Sequence, residues 1–190
     1  MGTVLLRYNK RMKRLLLLLF LLTVSLFLCS CFYQPQISLS GTKLDFETVD
    51  INGDPVSSES LFAEHEVTML NLWASWCGPC INELSELERV SRELEGTGCA
   101  VIGLINEEKS PQNLKTAGLY LEENGVTYRN LLRPDNMNEL IAQRYFPTTV
   151  FVDKNGVIIG KTLFGTVAEK YVFDYYMNAV NETLELMQQE

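Results

Sequence analysis

The sequence predicts an α/β domain whose central mixed β-sheet is flanked by helices. Three observations carry this expectation. From Gly41 onward, β-prone apolar runs alternate with amphipathic helical stretches, which implies helical crossovers and parallel strand pairing. Near the C-terminus Asp153-Lys154-Asn155-Gly156 is a hairpin turn, which adds an antiparallel edge. The chain has 190 residues, 46% hydrophobic and 21% charged, enough for one packed core plus an appendage.

The elements follow in order. Leu44 to Val49 alternates apolar and polar residues, as a half-buried strand does. Asn52-Gly53-Asp54 is a turn signal. Val67 to Ala74 is nearly continuous in β-prone residues, consistent with a strand buried on both faces. Leu84, Leu87 and Leu94 then recur at helical spacing with Glu and Arg between them, and Gly96 and Gly98 stop that helix. Cys99 to Ile105 is a second apolar strand. Pro111 opens a helix carrying Leu114, Ala117 and Leu121, stopped at Gly125. Thr127 to Leu132 reads as a short strand, and Asn136 to Tyr145 as a short helix with Leu140 and Ile141 inward. Thr148–Val152 and Val157–Leu163 form the hairpin, and Ala168–Met187 closes the chain as a helix. The expected order is β-β-α-β-α-β-α-β-β-α.

The first 33 residues read as an address. Arg7, Lys10, Arg11, Lys13 and Arg14 precede an apolar run from Leu15 to Leu28, the basic-then-apolar order of an export signal. The positive flank stays in the cytoplasm, so the domain is expected outside it. Leu28-Cys29-Ser30-Cys31 resembles a bacterial lipoprotein signal, which implies lipidation of Cys31. An uncleaved helical anchor and free secretion are the other fates. Residues 34–40 are then a tether, and residues 41–190 the domain. Five of the 16 basic residues lie in the leader, which leaves 11 against 24 acidic ones, a formal −13. Such a domain repels phosphate backbones, so nucleic-acid binding is not expected. Membrane contact has to come from the N-terminal anchor.

The chemistry concentrates in Trp76-Cys77-Gly78-Pro79-Cys80. Both cysteines follow a buried strand and open a helix, whose N-terminus carries partial positive charge and free N–H groups. A thiolate is stabilised there, so Cys77 is expected as the nucleophile. Cys80, one turn deeper, is expected to resolve the mixed disulfide. Pro79 suits a first turn, and Gly78 leaves room for a partner's backbone. A purely structural disulfide of so small a loop stabilises little. A zinc site needs four ligands, and His65 is the only histidine in the chain. No metal is expected. With no phosphate-binding glycine loop, neither flavin nor nicotinamide is expected, and the redox-active cysteine pair serves as the only cofactor. Cys99 reads as a buried, inert thiol. Trp73 is expected in the core, Trp76 as a wall beside the nucleophile and His65 on a surface loop.

Asn71-Leu72-Trp73-Ala74-Ser75-Trp76-Cys77-Gly78-Pro79-Cys80 and Tyr145-Phe146-Pro147-Thr148-Thr149 together resemble the thioredoxin superfamily. More narrowly they resemble its TlpA/ResA-like extracytoplasmic thiol–disulfide oxidoreductases. The resemblance covers about Gly41 to Met187. It implies a thioredoxin-like fold with extra N-terminal strands and a βα insertion near residues 106–128. It also implies a cis Pro147 facing the cysteines, with Phe146 offering its backbone to a bound peptide. Thr148 belongs to the same motif. One departure from cytoplasmic thioredoxins is Asn71, which stands where they carry a buried Asp. The TlpA/ResA group places a Glu after its third strand instead, which makes Glu107 or Glu108 the candidate acceptor of the Cys80 proton. Both also fit a reading as solvated loop acids.

The resemblance implies reduction of disulfides in exported proteins such as apocytochrome c, fed by a membrane thiol carrier. Two other readings stay open at this point: oxidation or isomerisation by the same site, and a non-enzymatic copper carrier using the cysteines with His65. A peroxidase reading lacks the Pro-x-x-x-Thr turn before Cys77.

Overall fold

A computed structural model describes residues 15–20, 38–141 and 145–189. The chain divides into two units, Met1–Ile37 and Ser38–Glu190. In the first, residues 15–20 are helical with exposed side chains. Among the described residues, no helix is long and apolar enough to cross a membrane. Cys31, most of the leader and the start of the tether lie outside the described residues.

In the second unit a five-stranded mixed sheet has the order β5-β4-β3-β6-β7. Its strands are β3 (Val67–Trp73), β4 (Cys99–Ile105), β5 (Asn130–Leu132), β6 (Thr148–Asp153) and β7 (Ile158–Phe164). β3, β4 and β5 run parallel, while β6 pairs antiparallel with both β3 and β7. Every residue of the central strand β3 is buried. Its pleat sends Leu70 and Leu72 to one core cluster and Val67 and Met69 to the other. The hairpin is pinned by Asp153, whose Oδ1 accepts from the N–H groups of Asn155 (2.9 Å) and Val157 (2.8 Å).

Among the described residues of this unit, the sheet is accompanied by the α-helices α1 (Ser58–Ala63), α2 (Gly78–Glu93), α3 (Pro111–Glu123), α4 (Met137–Leu140) and α5 (Val172–Met187). One core cluster joins Phe46, Phe62, Leu72, Ile102 and Val150. A second joins Met69, Leu87, Val90, Phe151, Tyr176 and Val180, and so presses α2 and α5 on the sheet. The third cluster holds Trp73, Leu84, Ile105 and Leu121 together with both active-site cysteines.

Three expectations need correction. The strand expected over Leu44–Val49 is reduced to β1 (Glu47–Val49), because its partner is the short β2 (Pro55–Ser57), paired only from Glu47↔Ser57 to Val49↔Pro55. β1 and β2 are the extra N-terminal strands that the resemblance implied, though β2 and α1 were not located in the sequence. Their stability is tertiary: Ser57 caps α1 by accepting from Ser60 N, the buried Ser58 hydroxyl accepts from Phe46 N (3.0 Å), and Phe62 is fully buried. The strand expected over Thr127–Leu132 begins only at Asn130. Before it, Thr127 is held by Glu88 of α2, which accepts from its N–H and its hydroxyl, both at 2.7 Å. Of the helix expected over Asn136–Tyr145, Met137–Leu140 is present, and residues 142–144 lie outside the described residues.

Gly103 in β4 shows how closely the layers fit. A Cβ there would collide with the side chain of Asn130 in β5. The Asn130 Oδ1 in turn accepts from the indole N–H of Trp73 (2.9 Å). Trp73 is fully buried, as expected, so its one donor needs this partner.

Candidate functional site

Strand β3 ends at Trp73 and helix α2 starts at Gly78, so the loop between them delivers Cys77 to the N-cap of a 16-residue helix. Cys77 and Cys80 are joined by a disulfide (S–S 2.05 Å, Cα–Cα 5.3 Å). The Cys77 sulfur accepts from Cys80 N at 3.3 Å. No acidic residue occupies the first turn of the helix, and Pro79 sits where no N–H is needed. A thiolate at Cys77 therefore meets the helix dipole and free N–H groups without a competing carboxylate. Cys77 is 5% exposed and Cys80 is fully buried, so a partner's sulfur reaches Cys77 first.

The surroundings of Cys77 are aromatic. Trp76 is 66% exposed and packs edge-to-face on Phe146, with ring centroids 4.8 Å apart. The Phe146–Pro147 bond is cis, and Phe146 packs against the cluster that holds both cysteines. Pro147 and Thr148 are buried, and the Thr148 hydroxyl donates to the Tyr145 carbonyl (2.7 Å). Trp76 and Phe146 form one wall of a groove of ≈ 510 Å³ that also takes in Glu107, Glu108, Lys109 and Arg133.

The two acids expected after the strand, Glu107 and Glu108, fall in different settings. Glu107 is nearly buried and braces the active-site loop: its carboxylate accepts from Ser75 N and the Ser75 hydroxyl, both at 3.0 Å. Glu108 is exposed. The most deeply buried carboxylate of the site is a third residue, Glu83 of α2, which sequence reasoning missed. It is 1% exposed and lies one helical turn beyond Cys80. Residues three apart on a helix share a face, with about 5–6 Å between their Cβ atoms. Its Oε1 accepts from Asn71 Nδ2 (3.2 Å) and the Tyr176 hydroxyl (3.1 Å), and Asn71 Nδ2 also donates to Thr149 Oγ1 (3.0 Å). Its Oε2 is buried with no hydrogen-bond partner among the described residues, while the nearby Thr166 side chain favours the carboxylate. Burial pushes the Glu83 carboxyl up to about 7, and the donors from Thr166, Asn71 and Tyr176 offset only part of that.

A signal for Glu83 was present. It sits three residues after Cys80, four before Leu87 and seven before Val90, on the inward stripe of α2. Asn71, buried two residues before Trp73, faces it across the sheet–helix layer. Cys99 is buried as expected, and burial raises its thiol pKa. His65 is half-buried in the loop before β3. Among the described residues no cluster of His, Cys, Asp or Glu could hold a metal ion.

Comparison with known proteins places this site in a family. Residues 41–161 match the AhpC/TSA family. The chain is 35% identical over 94 residues to the thiol:disulfide interchange protein DsbE of Allochromatium vinosum, covering 49% of each chain. It is 24% identical over 169 residues to the thiol–disulfide oxidoreductase ResA of Geobacillus thermodenitrificans, covering 84% of this chain and 89% of that one. Across the first curated relatives it matches, the chain spans between 49% and 65% of their length. In fold it superimposes on a thioredoxin-family thiol:disulfide interchange protein of Chlorobium tepidum with a TM-score of 0.57 and 22% identity, covering 72% of this chain and 92% of that one. The sheet is thus thioredoxin-like, and the chain belongs to the AhpC/TSA family, within which it resembles the ResA- and DsbE-type thiol–disulfide oxidoreductases.

Proposed function

We propose that this chain reduces disulfides in exported proteins from the extracytoplasmic face of the membrane, to which its N-terminal segment tethers it. The observation that carries the reading is the asymmetry of the pair: Cys77 is reachable at a helix N-cap beside an aromatic groove, while Cys80 is buried behind it. In the reduced protein the Cys77 thiolate attacks a substrate disulfide. A Cys77–substrate S–S bond forms, the substrate's own S–S bond breaks, and its leaving sulfur takes a proton. Cys80 then loses its proton, attacks the Cys77 sulfur and releases the second substrate thiolate. Two electrons pass to the substrate, and the Cys77–Cys80 disulfide is left behind.

Glu83, rather than Glu107 or Glu108, is the acceptor of the Cys80 proton in this reading. It is buried, shares a helix face with Cys80 and is tuned near neutrality, where it can take and return a proton. Glu107 instead holds Ser75 in place. Outside the cytoplasm the surroundings favour disulfides, so a membrane dithiol carrier must restore the reduced state. No cofactor beyond the cysteine pair enters the cycle. The tether, by lipid on Cys31 or by an uncleaved helix, raises the local concentration of the domain near that carrier.

The test is a trap. Cys80→Ser in cells should leave Cys77 in mixed disulfides with natural substrates, which mass spectrometry identifies as exported cysteine proteins. An adduct pattern that persists in Cys77→Ser refutes the exchange mechanism. A reduction potential near −120 mV, the value of a strong oxidant, refutes the reductive direction.

A further inference from the structure

Strands β3, β4 and β5 run parallel, and the loops at their carboxyl ends meet in the groove beside Trp76 and Phe146. The carboxyl end of an open α/β sheet is where such folds bind ligands. β3 leads to Trp76 and Cys77, and β4 leads to Glu107, Glu108 and Lys109. β5 ends at Leu132, which packs in the cluster that holds both cysteines, and the next residue is Arg133. Arg133 lines the groove and is half-buried. The exchange steps above give it no task.

We propose that Arg133 reads a side-chain carboxylate of the substrate: the groove takes a segment of the exported protein that carries an Asp or Glu close to the attacked cysteine. The proposal rests on the reading of Cys77 as the exchanging thiol and names the substrate class for it.

The charges in the groove leave Arg133 available. The Glu107 carboxylate is taken by Ser75. Lys109 pairs with Asp135 (3.1 Å). The third lining acid, Glu108, is exposed, where solvent and salt screen it. Arg133 donates from Nη2 to the neutral Asn138 side chain (2.8 Å), and among the described residues it has no carboxylate partner. A guanidinium presents its N–H groups in a planar fork that matches a carboxylate.

That fork is held in advance. Asn138 fixes the guanidinium, and the backbone on either side of Arg133 is anchored. Thr48 Oγ1 donates to the Leu132 carbonyl (2.7 Å), and the Pro134 carbonyl accepts from Met137 N (3.2 Å). Little side-chain freedom is therefore lost when a carboxylate binds. The domain as a whole is strongly acidic and repels such a group, so Arg133 decides where the group lands.

The test uses the reduced full chain and disulfide-linked peptides with blocked termini. The peptides differ only in Asp, Asn or Lys at one position, scanned along both sides of the cysteine. The second-order rate of single-turnover reduction is read for each. At the favoured position the Asp peptide should react about tenfold faster than its Asn counterpart, the factor that one charge-assisted contact supplies. Each ratio is taken within one protein, so a general change in reactivity cancels. The preference should vanish in Arg133→Gln and turn toward Lys in Arg133→Glu. In the wild type it should also shrink when salt rises from about 0.02 M to about 0.5 M, a readout that needs no variant. No Asp preference at any position, an Asp preference kept in both variants, or a wild type that favours Lys overturns the proposal and leaves exchange at Cys77 standing. If the wild type reduces none of the peptides, the exchange reading itself falls, and the proposal with it.

Discussion

Replacing Glu83 by Gln should change how stability depends on pH. The carboxyl titrates near 7 in the folded chain against an ordinary value of 4.5, because burial disfavours its charged form. The folded state therefore holds a proton that the unfolded state has released between those two pH values. Stability from this group is present below about pH 4.5 and falls as pH rises toward 7, where the loss is complete. A shift of this size corresponds to about 3 kcal/mol. Gln cannot ionise, keeps nearly the same volume and still offers an oxygen to Asn71 and Tyr176. The stability difference between Glu83→Gln and wild type should thus move in favour of the variant by about 3 kcal/mol between pH 4 and pH 8. Most of that change should fall between pH 4.5 and 7. Urea denaturation of the oxidised proteins at several pH values measures it, and a constant offset between the two chains does not affect the comparison. Parallel stability curves across this range would refute a buried, protonatable Glu83. On the function proposed above, the same variant should reduce disulfides more slowly near neutral pH.

Three further outcomes follow from other parts of the structure. Glu88→Gln gives up a charged acceptor that holds Thr127 N, its hydroxyl and Arg92, and should lower stability by about 2 kcal/mol at pH 7 in thermal or urea denaturation. Burial pushes the Glu88 carboxyl up, but those donors outweigh it and hold the pKa below normal, so the deficit should vanish as acid protonates the wild-type carboxylate. Gly103→Ala should destabilise the domain by about 2 kcal/mol or more, because its Cβ meets Asn130; an unchanged melting temperature would contradict the packing. Trp76→Ala removes an exposed groove wall and should raise KM for protein disulfides severalfold, with little effect on a small disulfide reagent or on stability.

Much of this was legible in the sequence because the elements announce themselves locally. The β3 run is apolar at nearly every position, since the strand is covered on both faces. The turn at Asp153–Gly156 carries its own side-chain hydrogen bonds, and Gly156 takes the left-handed conformation such a turn requires. The cysteine pair declares its chemistry by opening a helix. What escaped was held by distant partners. α1 is six residues long, too short for periodicity to register, and depends on Phe46 and the buried Phe62. Glu83 looked like one more acid on an amphipathic helix, because its partners lie in other elements: Asn71 in β3 and Tyr176, 93 residues away, in α5. Glu107 stood at the expected place after the strand, and what the sequence did not show is that its carboxylate accepts from the Ser75 N–H and hydroxyl.

The interlock of Gly103, Asn130 and Trp73 also has a historical meaning. Each of the three residues constrains the other two: the missing Cβ makes room for the amide, and the amide satisfies the indole. A lineage cannot enlarge Gly103 first, because the clash comes at once. It cannot shorten Asn130 first without stranding a buried N–H. Replacement of Trp73 is the step that frees the others, and it opens a large void in the cluster that contains both cysteines. The three positions should therefore drift together or stay put, which makes the support beneath the reactive pair slow to change even while the groove above it diversifies.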